Sequence, residues 1–414
     1  MPTLPIECHL EIVKYLKKDH KTLFSYLLAS RELCRVTVPI LWSEPNLANP
    51  KLVQTIILGL SNKSKKIIKE IVPKIKKRLL FRYTQYITII TGGLTVGISK
   101  LIQSEEKFID YYDILYVLVK LIIRSSKDIK ILEIDGYERL LNKEFRALLI
   151  YAIKHKKALV SLRLLNIFID VPKEQKLLNA LSKNTRLRSL YLLNNRLGKK
   201  AGETIAQILL KNKKLTSLNI STNSVELEIQ GVEALAHALS ENKTLLSLTL
   251  SNDSLTSEGG TILANALYNN ETLTSLDLGG KYPNASEYTY FNKIRMEGAT
   301  ELANVLRENK ALTSLNLSGN RISLGLAPLL DALTTNRNLT SLNLTDALCI
   351  NHKLTWVNIS YNHFGRNGSF FVETLIKNNT LTHLDLSQNF NSKIKEALTE
   401  ACKNKVDNTM TLLL

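Results

Sequence analysis

Leucine recurs through the second half of this chain at places one, four and six of a short phrase, with polar residues between. The phrases are LVSLRL at Leu159, LRSLYL at Leu187, LTSLNI at Leu215, LLSLTL at Leu245 and LTSLDL at Leu273. They continue as LTSLNL at Leu312 and again at Leu339, LTWVNI at Leu354 and LTHLDL at Leu381. A weaker copy, IKILEI, begins at Ile129. From Leu159 the first spacings are 28, 28, 30 and 28 residues. In LTSLNLSGN, Leu312, Leu315 and Leu317 would enter a core while Ser314 and Asn316 alternate outward, the period-two pattern of a strand. Asn320 then turns the chain, and a buried carboxamide there can satisfy backbone groups of a neighbouring coil. Asn195, Asn223, Asn362 and Asn389 hold the same place, and Asp253 replaces it once.

The remainder of each period reads as helix. In SEGGTILANALYNNETL, Ile262, Leu263, Ala266 and Leu267 fall on one face, and Asn269 and Asn270 end the helix before the next strand. No single unit could bury that stripe, so neighbouring units must stack to make a core. Phrase and period resemble the leucine-rich repeat, and the ribonuclease-inhibitor type in particular. That resemblance implies an α/β solenoid over residues 129–414, with parallel strands concave and helices convex.

Two units depart from the period. Leu273 to Leu312 is 39 residues, and the excess lies around KYPNASEYTYFNKIR, with Tyr282, Tyr288, Tyr290 and Phe291. Insertions in repeats project as loops, often on the binding face. Leu339 to Leu354 is 15 residues, too short for strand plus helix, so the unit at 339–353 is expected to lack its helix. Outward strand places are mostly small and polar: Ser161, Ser189, Ser217, Ser247, Ser275, Ser314 and Ser341 at place three, with Asn, Asp and Thr common at place five. Larger side chains stand near the ends. Arg163, Tyr191, Trp356, Tyr361, His383 and Asp385, with Tyr288 and Tyr290 of the insertion, are therefore the candidate target-binding residues, because aromatic and arginine anchors dominate interface energy.

Residues 1–45 differ in kind. LPIECHLEIVKYL and KTLFSYLLASRELCRVTVPILW read as helices carrying more apolar side chains than so short a segment can bury alone. Leu4-Pro5, Glu7, Ile12, Tyr15-Leu16, Leu23, Leu27-Leu28, Ser30-Arg31 and Leu41-Trp42 together resemble the F-box motif; Glu32-Leu33 stands where an aromatic is usual. The whole chain is thus similar to the F-box/leucine-rich-repeat proteins expanded in some fungal lineages. The resemblance implies a substrate-recognition subunit of a Skp–cullin–F-box ubiquitin ligase. A Skp-type adaptor would be held through Leu4, Pro5, Ile12, Leu16, Leu28 and Trp42, an unidentified target protein by the repeats, and ubiquitin chemistry would belong to other subunits. The alternative is a non-ligase scaffold or inhibitor built on the same repeats.

Residues 46–128 read as a basic, mostly helical connector that caps the solenoid. KSKKIIKEIVPKIKKR (63–78) predicts an amphipathic helix interrupted near Pro73. Gly92, Gly93 and Gly97 match neither a P-loop nor a dinucleotide fingerprint. The chain has 414 residues, 44% hydrophobic and 22% charged, as expected of folded protein. Its net charge of +18 reads as a solvated basic surface, and nucleic acid is not an expected partner. Cys8, Cys34, Cys349 and Cys402 are scattered, which argues for a reducing compartment. Cys349 and His352 make one close pair where structural zinc wants two, so neither metal nor cofactor is expected. No apolar run reaches the roughly 20 residues a bilayer span needs, and MPTLPIECHLEIVKYL does not read as a secretory signal. The expectation is a non-catalytic protein of cytoplasm and/or nucleus, monomeric within its complex.

Overall fold

Leucine at places one, four and six can be buried only if each coil lies flat on the next, and the computed structural model shows that stacking in detail. It describes residues 4–69, 79–105, 110–136, 142–167, 169, 175–195, 197, 201–221, 228–251, 253–280, 292–320, 322, 326–343, 356–358, 383–385, 387, 395–396, 398–400 and 411–413. Two compact units emerge, Met1–Ile167 and Phe168–Leu414.

The first unit begins with three short helices, α1 (Ile6–Tyr15), α2 (His20–Ala29) and α3 (Arg31–Leu41). Val13, Leu23 and Val36 form their shared core, with Ile6, Leu16, Tyr26, Leu33, Ile40 and Leu41 packed against it. Then follow α4 (Pro50–Leu58), α5 (Asn62–Ile67), β1 (Ile89–Ile90), α6 (Gly93–Glu105), α7 (Tyr111–Ser125), β2 (Ile131–Asp135), α8 (Lys143–His155) and β3 (Ser161–Leu165). The helix predicted from the lysine run is present over Asn62–Ile67, and residues 70–78 lie outside those described. β1, β2 and β3 pair in parallel, with Ile90 opposite Leu132 and Leu132 opposite Leu162. The strand register therefore starts one coil before the weak phrase at Ile129.

The second unit alternates helix and strand: α9 (Gln175–Ser182), β4 (Ser189–Leu193), α10 (Ala201–Lys211), β5 (Ser217–Asn219), α11 (Ile229–Glu241), β6 (Ser247–Thr249), α12 (Ser257–Tyr268) and β7 (Ser275–Asp277). It continues with α13 (Arg295–Glu308), β8 (Ser314–Asn316), α14 (Leu326–Thr335), β9 (Ser341–Asn343), β10 (Trp356–Asn358), β11 (His383–Asp385) and β12 (Thr411–Leu413). Its nine described strands form one parallel sheet in chain order, place three facing place three throughout, as Ser217 faces Ser247 and Ser247 faces Ser275. Leu312, Leu315 and Leu317 are fully buried while Ser314 and Asn316 stay half-exposed, as the alternation requires. Strands repeat at about 4.8 Å and packed helices at about 8–10 Å. Within this unit the helical side is therefore the longer, convex one. Helices α10 and α11 touch through glycine: a Cβ on Gly202 would lie 2.3 Å from the Gly231 carbonyl oxygen.

Two rows of buried carboxamides hold the coils together. The first is the predicted one. Asn320 is fully buried and donates to the Leu278 and Leu317 carbonyls, and Asn195 is buried in the same place. Asn223, Asn362 and Asn389 lie outside the described residues. Where the period lengthens, Asn292 takes the ladder position. It donates to the Leu250 and Leu278 carbonyls and accepts from the Asp253 and Leu255 amides. From Asn292 to Asn320 is again 28 residues, so the insertion precedes the ladder residue and leaves the stack intact.

The second row stands three residues before six of the leucine phrases: Asn184, Asn212, Asn242, Asn270, Asn309 and Asn336, all buried. Asn270 is representative. Its Nδ2 donates to the Leu239 and Asn242 carbonyls, and its Oδ1 accepts from the Thr272 and Leu273 amides. One side chain thus closes the end of one helix, starts the next strand and ties both to the previous coil. In the first unit the equivalent places carry Thr84, Ser126 and Lys156. Ser126 Oγ donates to the Ile87 carbonyl and Lys156 Nζ to the Ser126 carbonyl, each at 2.6 Å. Burial, and secondly the charge of Arg124, hold the Lys156 pKa below the ordinary 10.5.

Asn270→Ala would strand four buried backbone groups and is expected to cost about 3 kcal/mol, read as a lowered urea midpoint and faster exchange of the Leu273 amide. Lys156 is less protonated folded than unfolded between its depressed pKa and 10.5, so its contribution to stability grows as pH rises through that window. The stability of the native chain relative to Lys156→Met is accordingly expected to increase from neutral pH toward 10.5. A constant difference across that range would refute the assignment.

Candidate functional surfaces on the front helices and the strand face

The three front helices are set by local hydrogen bonds that explain their sequence phrases. Pro5 precedes α1 with φ −55° and ψ 151°, and its carbonyl accepts from the Cys8 amide at 3.0 Å. Asp19 caps α2, accepting from the Thr22 amide at 3.1 Å and its hydroxyl at 2.6 Å. Those bonds, led by the hydroxyl, hold the Asp19 carboxyl below its ordinary pKa. Ser30 caps α3 through the Leu33 amide at 3.1 Å, which is the physical role of the serine in the Ser30-Arg31 pair. His9 Nδ1 and the Tyr26 hydroxyl, 2.7 Å apart, tie α1 to α2.

With that core closed, several large apolar side chains remain outside it. Tyr15 is 89% exposed, Leu28 67%, Phe24 59% and Leu4 55%, and Leu10 is also exposed. Phe24 and Leu28 stand four apart on α2, so they are neighbours on its surface. These five are among the twelve exposed large hydrophobics of the described residues, although they fall within the first 28 positions.

The strand face of the second unit is chemically different. Asp277 Oδ1 accepts from Ser251 Oγ at 2.7 Å, Asn316 Nδ2 at 2.8 Å and the Gly279 amide at 2.9 Å. The Tyr191 hydroxyl lies 3.3 Å from Ser217 Oγ. Thr216, Thr274, Thr313 and Thr340 each donate to a carbonyl of the preceding coil. Small hydroxyls, carboxamides and the Asp277 carboxylate satisfy one another here, leaving a polar floor. Among the described residues no group of three or more His, Cys, Asp or Glu could hold a metal ion, and no helix is long and apolar enough to cross a membrane.

Two stretches match family models described as Leucine Rich Repeat, residues 311–333 and 377–389. The first of them contains β8 with its buried leucines and Asn320. These are leucine-rich repeats. Among solved structures the chain is similar to leiomodin-1 actin-binding site 2, at 20% identity, over 42% of this chain and 84% of that one, with a TM-score of 0.26. It is similar also to the Rad7 and Elc1 complex in yeast, at 15% identity, over 100% of this chain and 98% of that one, with a TM-score of 0.47. No curated protein matches it.

On the leucine-rich repeats, the residues expected to meet a target are dispersed. Arg163, in the first unit, points its guanidinium at Glu133, Nη1 to Oε2 at 3.4 Å, and Glu133 also accepts from the Gly92 amide. Tyr191 is half-buried on β4. His383 is exposed on β11, and Asp385 accepts from the Ser387 amide and hydroxyl. Strand register sets Trp356 of β10 directly opposite His383. Tyr288, Tyr290 and Tyr361 lie outside the described residues, as does the stretch at 344–355 where a helix was expected to be missing.

The six front residues expected to grip an adaptor divide in two. Leu4, Pro5 and Leu28 are exposed. Ile12 and Leu16 are half-buried, Leu16 against the helical core, and Trp42 stacks on Tyr83 with ring centroids 4.5 Å apart and planes at 28°. Burial, then the neighbouring Cys34, raises the pKa of the Tyr83 hydroxyl. Of the open aromatics, Tyr15 stands in the motif phrase but outside the six gripping residues, and Phe24 stands in neither. The signal for Phe24 was the apolar run FSYLL, which is wider than the single stripe that Leu23 and Leu27 need. Trp42→Ala is expected to lower stability by about 2 kcal/mol through the lost stack, and Leu28→Ala by about 0.5 kcal/mol or less. Thermal melts giving the reverse order would contradict this division.

Proposed function

We propose that this chain is the substrate-recognition subunit of a Skp–cullin–F-box ubiquitin ligase, acting in cytoplasm and/or nucleus. The front helices take a Skp-type adaptor that links to the cullin, and the repeats hold a target protein. Ubiquitin transfer falls to other subunits, and this chain is non-catalytic. The supporting observation is the set of exposed apolar side chains at Leu4, Leu10, Tyr15, Phe24 and Leu28, on helices whose own core is already complete. Uncovered hydrophobic surface of that kind marks a site of association. The phrases resembling the F-box supply the class of partner, and Ser30, the cap of α3, belongs to them. The polar floor of the repeats suits a protein target read by hydrogen bonds, with anchors supplied from the ends of the strand row.

The test is binding of the purified full chain to a purified Skp-type adaptor. Leu28→Asp and Phe24→Asp together are expected to weaken it by about a hundredfold without altering the circular dichroism of the repeats. Equal binding by native and variant chains would remove the reading, and no binding by the native chain would leave a repeat scaffold.

A further inference from the structure

The net charge is unevenly divided. Residues 1–167 contain 29 Lys and Arg against 15 Asp and Glu, and so hold +14 of the total +18. Within this basic unit, beside α4, α5 and α7, lies a cleft of about 830 Å3. That volume is in the range of small-molecule sites. Among the described residues no carboxylate lines it. Leu58, Leu79 and Leu121, half-buried, form its aliphatic part, and Leu80 beside them is 87% exposed.

The polar groups of the lining are mostly engaged already. Thr55 donates to the Lys51 carbonyl, Ser61 caps α5 and donates to Ser64, and Ser125 donates to Thr84. The two rings are also in use, Tyr83 stacked on Trp42 and Phe81 tilted against Tyr83 at 5.8 Å. What remains for a ligand is aliphatic wall and positive charge. Lys65 Nζ donates to the Leu58 carbonyl at 2.8 Å and keeps two further N–H groups. Arg82 is exposed, its carbonyl accepts from the Gln85 amide, and its guanidinium has no partner among the described residues.

We infer that this cleft binds a single-chain anionic amphiphile. The alkyl chain lies along Leu58, Leu79 and Leu121, and the carboxylate or phosphate head is met by Arg82 and Lys65. The apolar atoms line a recess, so the chain is taken singly from solution and not by the protein lying on a bilayer.

The experiment is a fluorescence titration of the full chain with 11-(dansylamino)undecanoic acid below its micelle concentration. One saturable site with blue-shifted emission is expected. Arg82→Glu should weaken binding about tenfold, as should replacing the acid by its methyl ester. Thr55→Trp should narrow the cleft and weaken binding, with circular dichroism confirming the fold, and Arg82→Glu, at an exposed position, decides the matter should Thr55→Trp misfold. Phe24→Asp should leave binding of the dansyl acid unchanged. The inference is overturned by equal binding of acid and ester, by an unaffected Arg82→Glu, by loss of binding in Phe24→Asp, or by binding only to phosphatidylserine vesicles.

Discussion

Every coil of this protein must pass through the same difficulty. A strand and a helix end side by side in an apolar interior, and each leaves backbone amides and carbonyls with no partner of its own. An unpaired buried group of that kind costs about 1–3 kcal/mol, so a stack of coils survives only if something recurrent satisfies them. From Asn184 to Asn336 the asparagine three residues before the leucine phrase does so, as Asn212 shows with both carboxamide atoms in use and bonds to two coils at once. The leucines supply the favourable burial, about 1.5–3 kcal/mol for each side chain, and their alternation fixes which strand face turns inward. The carboxamides add the hydrogen bonds that tie each coil to the one before it.

That constraint accounts for where variation is allowed. The long unit inserts its extra residues ahead of Asn292, so the ladder bond is made regardless of what intervenes. In the first unit the ladder places pass to Thr84, Ser126 and Lys156, and the lysine meets its carbonyl at the cost of a charge held out of water. The front helices obey a different rule. Their core needs few side chains, and the remaining apolar ones stay on the outside. The coil ends are tied by recurrent buried hydrogen bonds, whereas the front helices leave large apolar side chains outside their core.

Much of this was legible in the residues. Leucine spacing announced parallel strands in chain order and the helices between them, because no other arrangement buries both stripes. The ladder at Asn320 was also legible, since the asparagine stands inside the repeated phrase. The second ladder was not. Asn269 and Asn270 read as ordinary helix stops, and only the coordinates separate Asn270, buried and fully bonded, from Asn269, which lies exposed. β1 escaped notice because isoleucines Ile87 and Ile90 replace leucine and Gly92 stands at place six. On the front helices, the motif drew attention to Leu16 and Trp42, whose surfaces are partly spent on the chain itself, and away from Phe24. Helical periodicity alone cannot say which of two adjacent apolar stripes faces inward.

The coils of the repeats are tied by their own hydrogen bonds, and the proposed adaptor site lies on front helices with apolar side chains uncovered. Hydrogen exchange of the full chain, with and without a Skp-type adaptor, tests both halves in one measurement. Slow exchange is expected at the Leu215, Leu245, Leu273, Leu312 and Leu339 amides in either condition, with new protection over α1 and α2 when the adaptor is added. Front helices that are already protected alone and unchanged by the adaptor would contradict this expectation.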